Sequence, residues 1–152
     1  MALRTLLLLP CVLVIGFAQG VPAPPVTLAV HLLVACSSHG SGQPVELPGG
    51  DAPLCLARTP FLTQKDVQSA ELRQNSQGHQ VVFLTFHEDA AIRELEITRQ
   101  NIGNRVGIVV NGRVAAAPAI AASSRFLYLD GGYTAKQAQA LVAAFNRQAG
   151  NR

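Results

Sequence analysis

The residues of this chain that could do chemistry are few. Its four histidines, His31, His39, His79 and His87, never fall into a metal-binding spacing such as His-x-x-x-His. Cys36 and His39 stand three apart, which is half of a metal site. Ser37, Ser38 and Ser41 lie in a Gly/Ser-rich stretch with no Gly-x-Ser-x-Gly elbow to sharpen a nucleophile, so they read as solubilising loop residues. Glu88 and Asp89 suit the positive end of a helix. Glu94 and Glu96, interleaved with Arg93 and Arg99, read as a solvated helix face. Gly131-Gly132 in "LDGGYT" precedes a helix N-cap and could offer N–H groups to an anion, although a tight strand-to-helix turn is the simpler reading. The sequence therefore points to no catalytic residue, no cofactor and no metal ligand. The chain reads as a non-enzymatic protein, with a small secreted hydrolase as the remaining enzyme alternative.

The chain has 152 residues, 49% of them hydrophobic and only 14% charged. That suits one domain with a real core, built without Trp and so from aliphatic side chains and alanine. The formal charge of +3 is spread out: Arg93, Arg99, Arg105, Arg113 and Arg125 each stand alone, which argues against nucleic acid. "MALR" followed by "TLLLLPCVLVIGFA" and "AQG" reads as a secretory signal over residues 1–20, and "VPAPP" as a proline-rich linker over 21–25. The alternative is a membrane anchor, for which the run is short and broken by Pro10. Export to the periplasm or beyond follows. With Cys11 removed, Cys36 and Cys55 form an even pair in an oxidising compartment, and a disulfide between them is expected to contribute roughly 3 kcal/mol. Free thiols, or lipidation of Cys36 in "LVAC", are the competing readings.

Patterning then places the elements. "VTLAVHLLVA" reads as a buried strand, "CSSHGSGQPVELPGGDAP" as a loop and "LCLA" as a short strand. Thr63 with Asp66 marks a short helix start, and "NSQG" joins two strands as a hairpin. "HEDAAIRELEITRQNI" is a helix with Ala91, Leu95, Thr98 and Ile102 on one stripe and Gly103 at its stop. A last helix starts with Thr134 and Gln137 as a capping box and buries Ala138, Leu141, Val142 and Phe145. The fold class is α+β, a mostly antiparallel sheet with two main helices and one short helix packed on it.

Asn111-Gly112 between two apolar runs is a type I′ hairpin turn, because both residues tolerate positive φ. It pairs Val110 with Arg113, Ile108 with Ala115 and Val106 with Ala117, and Pro118 ends the ladder. One face then carries Val106, Ile108, Val110, Ala115 and Ala117. The other carries Arg105, Gly107, Val109, Val114 and Ala116. That second face is either covered by a helix or left open for another chain. In the open case Arg105, Val109, Val114 and Arg113 are the partner-binding residues.

The stretch "FHEDAAIRELEITRQNIGNRVGIVVNGRVAAAPAI", followed by "LDGGYTAKQAQALVAAF", resembles the head region of the first periplasmic domain of the SecD family. Thr98, Asn101, Gly103, Gly112, Pro118, Gly132, Thr134 and Ala138 occupy that family's motif positions. "FLTQKDVQSAEL" is similar to a segment further upstream, so the resemblance covers about residues 54–146. The family usually has Asp at Asn111 and often Phe at Tyr133. SecD is a polytopic membrane protein that works with SecF and draws on membrane-embedded residues for its proton-coupled step. The resemblance implies the fold, the compartment and contact with polypeptide, and does not imply proton-driven pulling. It sets a head-like domain over residues 26–148 with a tail over 149–152. The expected partner is a polypeptide, either an unfolded secretory protein or an export-channel subunit. The alternative is an envelope accessory protein with one fixed partner unrelated to export.

Overall fold

The computed structural model describes residues 24–37, 41–46 and 53–151. The expected signal sequence, residues 21–23 of the linker, Ser38 and His39 lie outside them. Among the described residues nine strands and two α-helices follow in the order β1 (Leu28–Ala35), β2 (Ser41–Val45), β3 (Leu54–Ala57), β4 (Leu62–Thr63), a 3-10 turn (Gln64–Asp66), β5 (Val67–Gln74), β6 (Gln80–Phe86), α1 (Glu88–Gln100), β7 (Val106–Val110), β8 (Arg113–Ala116), β9 (Phe126–Leu129) and α2 (Ala135–Ala149). The fold is α+β and antiparallel throughout, but it holds two sheets rather than one. The larger runs β2-β3-β1-β7-β8 with β4 also paired to β1, and the smaller runs β5-β6-β9.

The inner faces of both sheets feed one core. Leu28, Val30, Val106, Ile108 and Val110 come from the larger sheet, and Ala70, Val82, Leu84 and Leu129 from the smaller. Ala90 and Ala91 of α1 and Ala138 and Phe145 of α2 complete it. The alternation along β6 explains why: Val82, Leu84 and Phe86 point inward, so Val81, Phe83 and Thr85 must point outward. On that outer face Phe83 packs against Phe126 and Tyr128, with ring centroids 5.2 and 5.0 Å away, and the Arg73 guanidinium sits over the Phe83 ring.

Several local expectations hold in detail. The capping boxes of Thr63 with Asp66 and of Thr134 with Gln137 are both formed. Asp66 also accepts from Arg93 at 2.7 Å, while Arg93 Nε donates to the Phe61 carbonyl, tying α1 to the 3-10 turn. Cys36 and Cys55 are joined by a disulfide with Cα atoms 5.0 Å apart. Asn111 and Gly112 take φ of 50° and 76°, the turn that Asn-Gly favours.

Other expectations are corrected. The segment read wholly as a loop between Cys36 and Pro53 contains β2, which pairs with β3 despite Pro44 because it is an edge strand. The hairpin register holds only to Val109 opposite Val114; a bulge then places Ile108 opposite Ala116 rather than Ala115. The extra residue turns Ala116 toward the main core and Ala117 toward the opposite face. Pairing does not stop at Pro118 either, because its carbonyl still accepts from Val106 N–H at 3.1 Å and Arg105 bridges to Ala119. A missing N–H leaves proline its acceptor. Ile102 falls beyond the end of α1 and is exposed at 57%, and the buried positions of the helix are Ala90, Ala91, Glu94 and Thr98.

Helix α2 is fixed to the smaller sheet by a side chain that imitates a strand. Asn146 Nδ2 donates to the Ala70 carbonyl at 2.9 Å, and its Oδ1 accepts from the Ala70 N–H at 2.8 Å. One amide thus satisfies both main-chain groups at the open edge of β5. Asn146→Ala should destabilise the fold by about 1–3 kcal/mol, measured as a lower urea midpoint at unchanged slope. An unchanged midpoint would mean that water replaces the amide at no net cost.

Candidate functional site: a groove between strand β8 and helix α2

The larger sheet ends at β8, and α2 lies across from that edge. Between them runs an open groove of about 1220 Å³. Its β wall is Val110, Asn111, Arg113, Val114 and Ala115, and its helical wall is Gln137, Ala140, Leu141, Ala143, Ala144 and Arg147. Pro24 to Thr27 close one end, beside Gly131 and Tyr133. That end is pinned by a reciprocal pair: Thr27 N–H donates to Asn111 Oδ1, and Asn111 N–H donates to the Thr27 carbonyl, both at 3.0 Å.

The walls are apolar because small residues recur on the outer face of α2 while Phe145 and Ala138 take the inner one. The charged side chains lining the groove are Arg113 and Arg147, and no carboxylate is among its described lining residues. Burial pushes the Tyr133 phenol up, so it stays neutral and can donate a hydrogen bond. Nothing in this arrangement pairs a nucleophile with a base; it offers an apolar trough with two cations on its walls.

The residues proposed from sequence as a single partner-binding face separate here. Arg113 and Val114 line the groove. Val109 and Ala117 face the other way, against a small cluster of Leu33, Val45 and Leu56, and the Val114 side chain packs on that cluster too, so Val114 borders both the groove and the cluster. Gly107 makes room for this cluster, since a Cβ there would enter the space of Leu56 Cδ2 and Leu33 Cδ2. Among the described residues the second face of the hairpin is therefore covered in part by side chains of β1, β2 and β3, not by a helix. Arg105 Nη1 donates to the Ala117 carbonyl at 3.0 Å and braces the segment after the bulge. Asn101 caps α1, its Nδ2 donating to the Ile97 carbonyl, and Gly103 and Gly132 take positive φ at their turns. The groove residues missed from sequence are Tyr133, Ala140, Ala144 and Arg147. The available signal was the second stripe of small residues on α2, which reads as helix propensity until an edge strand is placed opposite.

The titratable residues divide similarly. His31 is a structural histidine whose Nδ1 lies 2.7 Å from the Ala57 carbonyl. Among the described residues no cluster of His, Cys, Asp and Glu could hold a metal ion. Glu94 is the exception to the solvated-face reading. It is 3% exposed, its Oε2 lacks a hydrogen-bond partner among the described residues, and burial pushes its pKa from the ordinary 4.5 to about 7. Glu96, two residues on, is exposed and accepts from Gln100 Nε2.

A two-sheet α+β domain with an edge-strand groove defines the class, and comparison with known proteins gives the family. Residues 43–149 match the family model described as SecDF, P1 head subdomain, and the chain belongs to that family. It is a family of the protein-export machinery. Over 61 residues the chain is 44% identical to the protein translocase subunit SecDF of Thermus thermophilus, covering 40% of this chain and 8% of the relative. Over 59 residues it is 34% identical to the protein translocase subunit SecD of Acidaminococcus fermentans, covering 39% of this chain and 14% of that one. It is similar in fold to a structure of SecDF, described as a membrane component that enhances protein export, with a TM-score of 0.60, 24% identity and coverage of 80% of this chain and 62% of that one. A super-membrane-facing form of SecDF gives a TM-score of 0.59 at 25% identity, covering 78% of this chain and 18% of that one. The aligned parts thus span only a small fraction of the curated relatives' length. Among the described residues no helix is long and apolar enough to cross a membrane.

Glu94 makes the stability of the domain depend on pH. Its folded pKa lies above its unfolded one, so between pH 4.5 and 7 the folded state binds more protons than the unfolded. Stability contributed by the neutral acid is present in full below that window and falls as pH rises through it. Glu94→Gln should stabilise the protein by on the order of 2 kcal/mol at pH 8 and leave it nearly unchanged at pH 4, read as the melting-temperature difference across pH. An equal effect at both pH values would show that the Glu94 pKa is the same in the folded and unfolded states.

Proposed function

We propose that this chain is an exported, non-enzymatic module that binds polypeptide in the groove between β8 and α2, the polypeptide being a secretory client or a subunit of the export channel. One observation carries the reading: both walls of the groove, β7–β8 and α2, fall inside the segment matched to the SecDF P1 head family. The relatives are named as translocase subunits, so an apolar trough on this domain is favourably placed to meet chains in transit. The small, apolar lining favours sequence-tolerant contact over recognition of a single ligand. Arg113 and Val114 belong to this surface. Arg105 and Val109 support it from the far side of the hairpin. A signal sequence over residues 1–20 and the Cys36–Cys55 disulfide both favour an oxidising, exported location.

The test is a photo-crosslinking side chain placed at Ala140, within the groove, and at Ser76, in the β5–β6 turn, with the chain expressed in its native envelope. The groove position should capture several exported proteins or export-channel subunits, and the turn position should capture about tenfold less. Ala140→Arg, which fills the groove from an exposed position, should remove the capture by a crosslinker at Leu141. Capture of one stoichiometric partner unrelated to export would make this an envelope accessory protein instead.

A further inference from the structure

The edges of the sheets are not equally open. The β5 edge is closed at Ala70 by Asn146, whereas β8 ends the larger sheet with the groove beside it. The ladder shows which groups β8 leaves unused. Asn111 N–H bonds to Thr27 and Leu33 N–H bonds to Arg105, so odd-numbered residues of β7 direct their main chain toward β1. Even-numbered ones direct theirs toward β8, as the bond from Val106 to Pro118 confirms. Val109 therefore faces β1, and Val114, directly opposite it, is a non-hydrogen-bonded partner whose N–H and C=O both point out from the free edge. Outside the strand ladders, no hydrogen bond among the described residues reaches those two groups. They sit between Arg113 and Ala115 on the groove wall, and Leu141 and Ala144 stand across from them.

We infer that the groove takes its polypeptide as an extended strand added to β8, hydrogen-bonded to the main chain of Val114, and that Arg113 and Arg147 select segments carrying an acidic side chain. This rests on the polypeptide-binding reading above and specifies how that site works. The strand mode follows from the unpaired edge: main-chain bonds give affinity to any sequence, and alternate side chains enter the apolar trough. The charge selection follows from complementarity, because the groove presents two guanidiniums and no carboxylate among its described lining residues. The bulge after Val114 limits the open ladder to a short stretch, which suits transient rather than permanent capture.

The test uses the purified chain and a fluorescent eight-residue peptide of alternating Val and Thr with one central Glu, read by anisotropy. Two N-methylated versions carry their methyl groups on the Val amides or on the Thr amides. Strand addition uses amides of one parity only, so one version should bind about tenfold more weakly than the other. Equal binding by both, or equal loss in both, overturns the strand mode while leaving the groove reading standing, because the parent peptide still binds. Replacing Glu by Lys in the peptide should weaken binding about fivefold, and Arg147→Glu in the protein should reverse that preference. Indifference to the charge overturns the selection by Arg113 and Arg147. Failure of the parent peptide to bind at all overturns both this inference and the reading beneath it.

Discussion

Everything about the groove depends on where α2 is held, and that is decided by one amide. Asn146 pairs with both main-chain groups of Ala70, in the way a neighbouring strand would. Beside it Phe145 is buried in the core shared by the two sheets. A hydrophobic anchor fixes a helix's depth but leaves it free to slide and roll, because burial is not directional. Two hydrogen bonds of fixed geometry remove that freedom. With the inner face of α2 committed, its outer row of small residues must look toward β8, and an apolar trough results.

The opposite wall is set by the Asn111-Gly112 turn. Positive φ at both residues closes the hairpin in two residues and so dictates which main-chain groups of Val114 are left over. Asn111 has a second task, since its side chain and N–H clasp Thr27 and draw the Pro24–Val26 segment to the groove's end. The family's usual Asp at this position could accept the same bond from Thr27. The turn thus links two features that are far apart in sequence, the Pro24–Thr27 segment and the free edge of β8.

Glu94 shows a polar group kept in an unfavourable place. Its helix presents Ala90, Ala91 and Thr98 to the interior, and position 94 lies on the same stripe. The Thr98 hydroxyl donates to the Glu94 carbonyl and accepts from Ser124 N–H, so this stripe also carries the tie to the segment before β9. A carboxyl amid such packing is tolerated when neutral and costly when charged.

Much of the fold was legible from residues alone. Capping boxes, the Asn-Gly turn, the β5–β6 hairpin and the inner stripe of α2 are local patterns, and local sterics and hydrogen bonding are enough to set them. The cysteine pair was legible from its even number in an oxidising compartment, and the motif order from Thr98 to Thr134 from the resemblance to the SecD family. Tertiary structure alone decided the rest. It split the strands into two sheets, slipped the hairpin by one residue at Ala115, buried Glu94 and assembled the groove from β8 and α2. Each of these depends on which surface another part of the chain comes to cover. Periodicity can show that a helix has two apolar rows or that a strand has two apolar faces. Only the packed structure determines which of them the core consumes and which is left for a partner.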